Sequence, residues 1–203
     1  IDPPEPRAIK DALLLLVELR ALHGSKITPL GKVMARLPVD PRLAAMLVAA
    51  GPLGCLQEML IIVAALAVQD VRERPAEKAS AADAAHEKFI DERSDFLSYL
   101  KLWSWIEEQR ETLSNKAWQN QLRKNFVNPM RVREWREIYR QLRTLSRQLN
   151  FSINTKPGNY RQIHEAVVAG SLSQIAQHQE RGRYQGPRNL QLSIFPGSGL
   201  KKA

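Results

Sequence analysis

The chain has 203 residues, 44% of them hydrophobic, enough to bury a core as one large or two small domains. A single cysteine, Cys55, excludes an intramolecular disulfide and any cysteine-based zinc cluster, which fits a reducing cytosol. Net charge is +9, and residues 121–203 hold fifteen Lys/Arg against four Asp/Glu, a one-sided asymmetry that points to a polyanion partner.

Ile1-Asp2-Pro3-Pro4, with no initiator Met, reads as an entry from a longer protein. Arg7 to Leu22 is expected as a helix with Ile9, Leu13, Leu16 and Leu19 inward. His23-Gly24-Ser25-Lys26 is a turn, and Ile27 a short strand. Thr28 to Ala50 then states two helix starts in succession. Thr28 can cap the first, and Pro29 sits where a missing N–H costs nothing. Leu30, Val33, Met34 and Leu37 form its apolar stripe, and Pro38 ends it. Asp40-Pro41 repeats the device, with Leu43, Met46 and Leu47 as the next apolar face. Two short helices joined by such a corner suggest a helix-turn-helix unit, although packing alone also produces one. Gly51 to Gly54 is expected to close a first small domain.

Cys55 to Val68 is apolar almost all round, as in a helix enclosed by others, and Cys55 at its head is expected to be a buried, inert thiol. Gln57, Glu58 and the flanking charges argue against a membrane span. A polar loop follows from Gln69 to Pro75, then an alanine-rich helix from Glu77 to Phe89. Ser94-Asp95 starts a helix carrying Phe96, Leu100, Trp103 and Ile106 or Glu107. Ser114 starts another with Trp118, Leu122 and Phe126. The tryptophans fall on apolar stripes and belong to the core.

Asn128-Pro129 opens the longest helix, running to about Leu149, with Trp135, Ile138, Leu142, Leu145 and Leu149 inward. Arg133, Arg136, Arg140, Arg143 and Arg147 repeat with the same steps, shifted by two residues, about 200° around the helix. Within the helix only Glu137 is placed to neutralise this ridge. Guanidinium groups suit phosphate because their planar fork binds it bidentately. An exposed face serving solubility is the plain alternative.

Thr155 to Gly158 is a turn, and Asn159 caps a helix with Ile163, Ala166 and Val167 inward, continued by Leu172 and Ile175. From Arg181 the period changes to two. Leu190, Leu192 and Ile194 alternate with polar residues, and Gly186-Pro187 separates them from Arg183-Tyr184-Gln185, as in a hairpin. The fold class is therefore mainly α with a short β-hairpin at the C-terminus. No phosphate loop, H-E-x-x-H or nucleophile elbow occurs, and Asp83-Ala84-Ala85-His86 resembles a D-E-x-H box only by coincidence. No catalytic site and no metal site is expected.

Taken in order, Asp2-Pro3-Pro4, Thr28-Pro29-Leu30-Gly31, Leu37-Pro38-x-Asp40-Pro41-Arg42-Leu43, Gln69-Asp70, Arg74-Pro75, Ala82-Asp83, Ser94-Asp95 and Ile194-Phe195-Pro196-Gly197-Ser198-Gly199 resemble the region after the motor lobes of DEAH-box RNA helicases. Arg72-Glu73-Arg74-Pro75, Arg133-Glu134-Trp135-Arg136 and the terminal Phe-Pro-Gly-Ser-Gly-Leu are most similar to the bacterial HrpA type. The resemblance implies a winged-helix domain truncated at its N-terminus (residues 1–51), a ratchet-like helical bundle (52–180) and the first strands of an OB-fold (181–203). It implies an accessory region of a 3′→5′ ATP-dependent RNA helicase that closes a single-stranded RNA channel and couples RNA contact to RecA-like motor lobes. ATP and Mg²⁺ would serve the parent enzyme, with no cofactor in this fragment.

A channel wall needs cations that track phosphates and few groups that read bases. Arg72, Arg74 and Lys78 are expected near the RNA, with Ser94 at a helix N-terminus, where N–H groups suit phosphate. Arg131, Arg133, Arg136, Arg140, Arg143 and Arg147 either line the channel or face outward toward RNA or a ribosome or ribonucleoprotein. The expected setting is a cytoplasmic monomer away from membranes. Two alternatives are a winged-helix DNA-binding regulator reading the major groove with the Pro41–Ala50 helix, and a structural protein-interaction module.

Overall fold

The structure, a computed structural model, describes residues 3–195 and 197–202. Asp2 and Pro196, two of the landmarks above, lie outside the described residues. Several of its helices start where short polar side chains can take up the N–H groups that a first turn leaves unsatisfied. The Thr28 hydroxyl accepts from Gly31 N, Asp40 from Arg42 N, Ser94 from Phe96 N, Ser114 from Ala117 N, and Asn159 from Gln162 N. Two compact units result, one of residues 1–60 and 141–175, the other of residues 61–140 and 176–203, so that the divide falls within two helices, α4 (Leu56–Leu66) and α8 (Pro129–Gln148).

The first unit begins with α1 (Pro6–Glu18), a hairpin of β1 (Leu22–His23) and β2 (Lys26–Ile27), and α2 (Pro29–Met34). The Thr28 hydroxyl donates to Arg20 O at 2.7 Å and accepts from Gly31 N at 3.0 Å, tying the helix start to the turn before the hairpin. Gly31 permits that approach, since a Cβ there would lie 2.2 Å from Ala21 O. α3 (Pro41–Leu53) packs on α9 (Tyr160–Ser171), burying Ala44, Ala45, Met46, Leu47 and Ala50 against Ile163, Ala166, Val167 and Gly170. At Gly170 a Cβ would meet Arg42 O at 2.2 Å, so the two helices approach backbone to backbone. Glu58 takes hydrogen bonds from Asn154 Nδ2 (3.0 Å) and Gly158 N (3.1 Å), pinning the loop before α9.

Three expectations fail here. Ile9 and Leu13 are 47% and 49% exposed, and only Leu19, just past the helix end, is buried, because packing reaches α1 at its C-terminal end. Gly51 does not break the chain: α3 runs through Gly51 and Pro52 and stops at Gly54, which adopts φ +70°. Leu172 and Ile175 do not extend the inward face of α9 but are 48% and 54% exposed, because the helix ends at Ser171 in a single 3-10 turn.

The second unit holds α5 (Ala79–His86), α6 (Asp95–Thr112), α7 (Asn115–Lys124) and the N-terminal part of α8. Its core is Phe89, Leu102, Trp103, Ile106, Trp118, Leu122, Val127, Val132 and Trp135. Two of the buried indoles satisfy their N–H groups on helix carbonyls, Trp135 on Ile61 O (2.9 Å) and Trp118 on Ile106 O (3.2 Å). The expected hairpin is β4 (Arg183–Gln185) with β5 (Gln191–Ser193), antiparallel, and β3 (Gln177–His178) adds a third strand on the other edge of β4. Gln177 and His178 carry no apolar alternation, so the sequence offers no sign of β3. Among the described residues no helix is long and apolar enough to cross a membrane, and no cluster of His, Cys, Asp and Glu could hold a metal.

Candidate nucleic-acid interface

The loop from Gln69 to Pro75 is strapped to the chain entering α8. Arg72 bridges Val127, Glu73 N donates to Phe126 O (2.8 Å), and Asn128 N donates to Val71 O (2.8 Å). Asn128 Nδ2 also donates to Glu73 Oε1 at 2.7 Å. On this frame Asp70 gathers Arg72 three times, through its backbone N (2.9 Å), Nε (3.1 Å) and Nη2 (2.7 Å). The Arg72 guanidinium lies 5.3 Å from the centre of the Tyr99 ring, and Arg131 Nη1 donates to Asp70 O at 2.9 Å.

Burial pushes the Asp70 carboxyl up, but the hydrogen bonds and charge of Arg72 outweigh it and hold the group below its ordinary value. Burial likewise opposes the Arg72 cation, and Asp70 restores it. A carboxylate with a depressed folded pKa adds stability above its unfolded pKa and loses it as pH falls through the folded value. Asp70→Asn is therefore expected to cost about 1 kcal/mol near pH 7, the pair being partly open to screening water. The gap to wild type in urea unfolding should close below roughly pH 4. A gap unchanged at low pH would remove the ion pair as its cause.

The predicted cations are not equivalent. Arg74 is exposed but holds Asp83 bidentately, Nε at 2.7 Å and Nη2 at 2.8 Å, which lowers the Asp83 pKa. Arg136 turns inward onto Glu107 of α6 (2.7 and 3.2 Å), with its side chain 11% exposed. Arg140 pairs with Glu137 at 2.9 Å on the surface. Arg143 is half-buried, its Nε enclosed without a hydrogen-bond partner among the described residues. Lys78, Arg133 and Arg147 are exposed and carry no ion pair among the described residues. The Glu107 partner lies 29 residues from Arg136, beyond what spacing within one helix can reveal.

Ser94 is 3% exposed and its hydroxyl accepts from Phe96 N. Next to it Asp95 receives Ser198 Oγ (2.6 Å) and Gly199 N (3.0 Å), so the start of α6 is taken up by the segment after β5. Gly199 is required there, since a Cβ would lie 2.6 Å from Asp91 O. Asp83 and His86 hold structural positions, His86 Nε2 lying 3.1 Å from Phe126 O. Cys55 is fully buried and its thiol is pushed up to about 11, burial being the chief cause. The helix α3, proposed above as a reader of duplex DNA, buries its apolar face, and its Arg42 donates to Ser173 Oγ (3.0 Å).

The winged-helix profile of the helicase-associated domain (HA2) matches residues 12–39, and the ratchet-like HA2 profile matches residues 40–128. The chain belongs to the HA2 family. All of this HA2 chain aligns, at 44% identity, with 16% of the ATP-dependent RNA helicase HrpA of Escherichia coli (strain K12). The same identity and coverage hold for an ATP-dependent RNA helicase HrpA homolog of Haemophilus influenzae. Against the pre-mRNA-splicing factor ATP-dependent RNA helicase DEAH10 of Arabidopsis thaliana, identity is 31% over all of the chain and 30% of the relative. The HA2 chain thus spans about a sixth of the length of the bacterial helicases it matches.

Proposed function

We propose that this HA2 chain is the accessory region of a 3′→5′ ATP-dependent RNA helicase, closing a single-stranded RNA channel and coupling RNA contact to RecA-like lobes of the same protein. The observation that carries this reading is the similarity of the whole chain to a part of RNA helicases, combined with the basic last third of the chain. ATP and Mg²⁺ serve the motor lobes, and this region supplies no group to the hydrolysis.

The proposed RNA contacts fall into an order set by what each cation already holds. Lys78, Arg133 and Arg147 meet phosphate directly. Arg74 and Arg140, exposed and paired, exchange a carboxylate for it. Arg72, Arg131, Arg136 and Arg143 support the rail from within, and Ser94 fixes the start of α6. A rail of cations grips the sugar-phosphate chain whatever the bases, as a translocating enzyme requires. The proposed setting is a cytoplasmic monomer, with arginines of α8 that do not meet the strand open to a ribonucleoprotein.

The test is fluorescence anisotropy of the chain with labelled 12-nucleotide single strands of different sequence and with duplex DNA. Affinities for the RNA strands are expected to agree within about three-fold, since phosphate contacts carry little sequence information. Preference for one duplex DNA sequence would replace this reading with a regulator's.

A further inference from the structure

At the start of α9 an aromatic pair stands partly exposed at the surface. Tyr160 and His164, one turn apart, stack with ring centres 3.9 Å apart and planes 21° from parallel. His164 Nδ1 lies 2.7 Å from Tyr160 O, and since a carbonyl only accepts, that nitrogen carries the proton and the ring is held in place. Tyr160 is 43% exposed, whereas Trp103, Trp118 and Trp135 are buried. Beside the stack the Arg161 side chain is 86% exposed, with Nε on Glu165 at 2.6 Å. Together with Val168 these residues bound an open depression of about 340 Å³.

We propose that Tyr160 and His164 form a stacking platform for one unpaired RNA base, with Arg161 receiving the adjoining phosphate. Stacking on an aromatic face tolerates every base, because each base has a π-face. The ring pair is fixed before the base arrives, so little side-chain freedom is lost on binding. Arg161 uses Nε for Glu165, and its exposed guanidinium has two further nitrogens whose donors suit phosphate oxygens. Glu165 opposes the phosphate, which gives the platform an opposing test of its own. The proposal rests on the RNA-binding reading above and adds a base contact to a rail that otherwise meets only the backbone.

The experiment compares the chain's affinity for a labelled 12-nucleotide oligouridine with that for an abasic oligomer of the same length. Tyr160→Ala is expected to weaken oligouridine binding about five-fold or more and to leave abasic binding unchanged. Tyr160→Phe should retain wild-type affinity, because the ring and not the hydroxyl makes the stack. Glu165→Gln should tighten binding of both oligomers about two-fold by removing a repelling charge. Equal losses on both oligomers for Tyr160→Ala, or no loss on either, would overturn the platform. A wild-type chain that binds neither oligomer would overturn the RNA reading and the platform together. A normal response to loss of Arg133 and Arg147, with Tyr160→Ala silent, would remove the platform alone.

Discussion

Trp135→Ala is expected to destabilise the protein by about 3–5 kcal/mol, the range for removing a fully enclosed large aromatic side chain. Trp135 is wholly buried, with the Trp103 ring centre 5.0 Å away and that of Tyr99 6.2 Å away. Its indole N–H is satisfied by Ile61 O, so truncation empties a large volume and removes a buried hydrogen bond at once. Trp135→Phe separates the two effects: it keeps most of the packing and loses the hydrogen bond, at about 1–2 kcal/mol. Urea unfolding followed by circular dichroism gives both numbers. A loss below about 1 kcal/mol for the alanine variant would mean that this cluster does not organise its unit.

The sequence discloses what is local. A capping residue before an apolar run marks its own helix, so Thr28, Asp40, Ser94, Ser114 and Asn159 locate helix starts that the structure confirms hydrogen bond by hydrogen bond. The tryptophan stripes locate the core for the same reason, since a side chain of that size on an apolar face has nowhere else to go. Periodicity fails where exposure depends on what packs opposite. The stripe on α1 is as regular as any other, yet Ile9 and Leu13 are 47% and 49% exposed.

Cation pairing was the least legible feature. The ridge from Arg133 to Arg147 looks uniform because helix geometry treats its members alike. Glu107 distinguishes Arg136 from Arg133 by a contact between helices, and no spacing rule reaches across 29 residues. Asp70 and Arg72 are nearer to being readable, since an aspartate two residues before its partner is a common turn device. The Asp95 contact with Ser198 and Gly199, over a hundred residues apart, could be found only in three dimensions.

The second large effect concerns Arg133 and Arg147, exposed members of α8 without an ion pair among the described residues. Neither holds a carboxylate, so each meets a phosphate at little desolvation cost, and binding releases the counterions condensed on the strand. Replacing both by glutamine should weaken single-stranded RNA binding about ten-fold at low salt while leaving stability nearly unchanged, as expected of surface substitutions. Arg136→Gln should behave the opposite way, costing stability through Glu107 and affecting RNA little.

The decisive measurement is the slope of log affinity against log salt for single-stranded RNA, wild type beside Arg133→Gln/Arg147→Gln. Each lost phosphate contact should flatten the slope by about 0.7, so the double variant should be shallower by about 1.4. Parallel lines for the two proteins would show that these arginines touch no phosphate, and the cationic rail would be refuted.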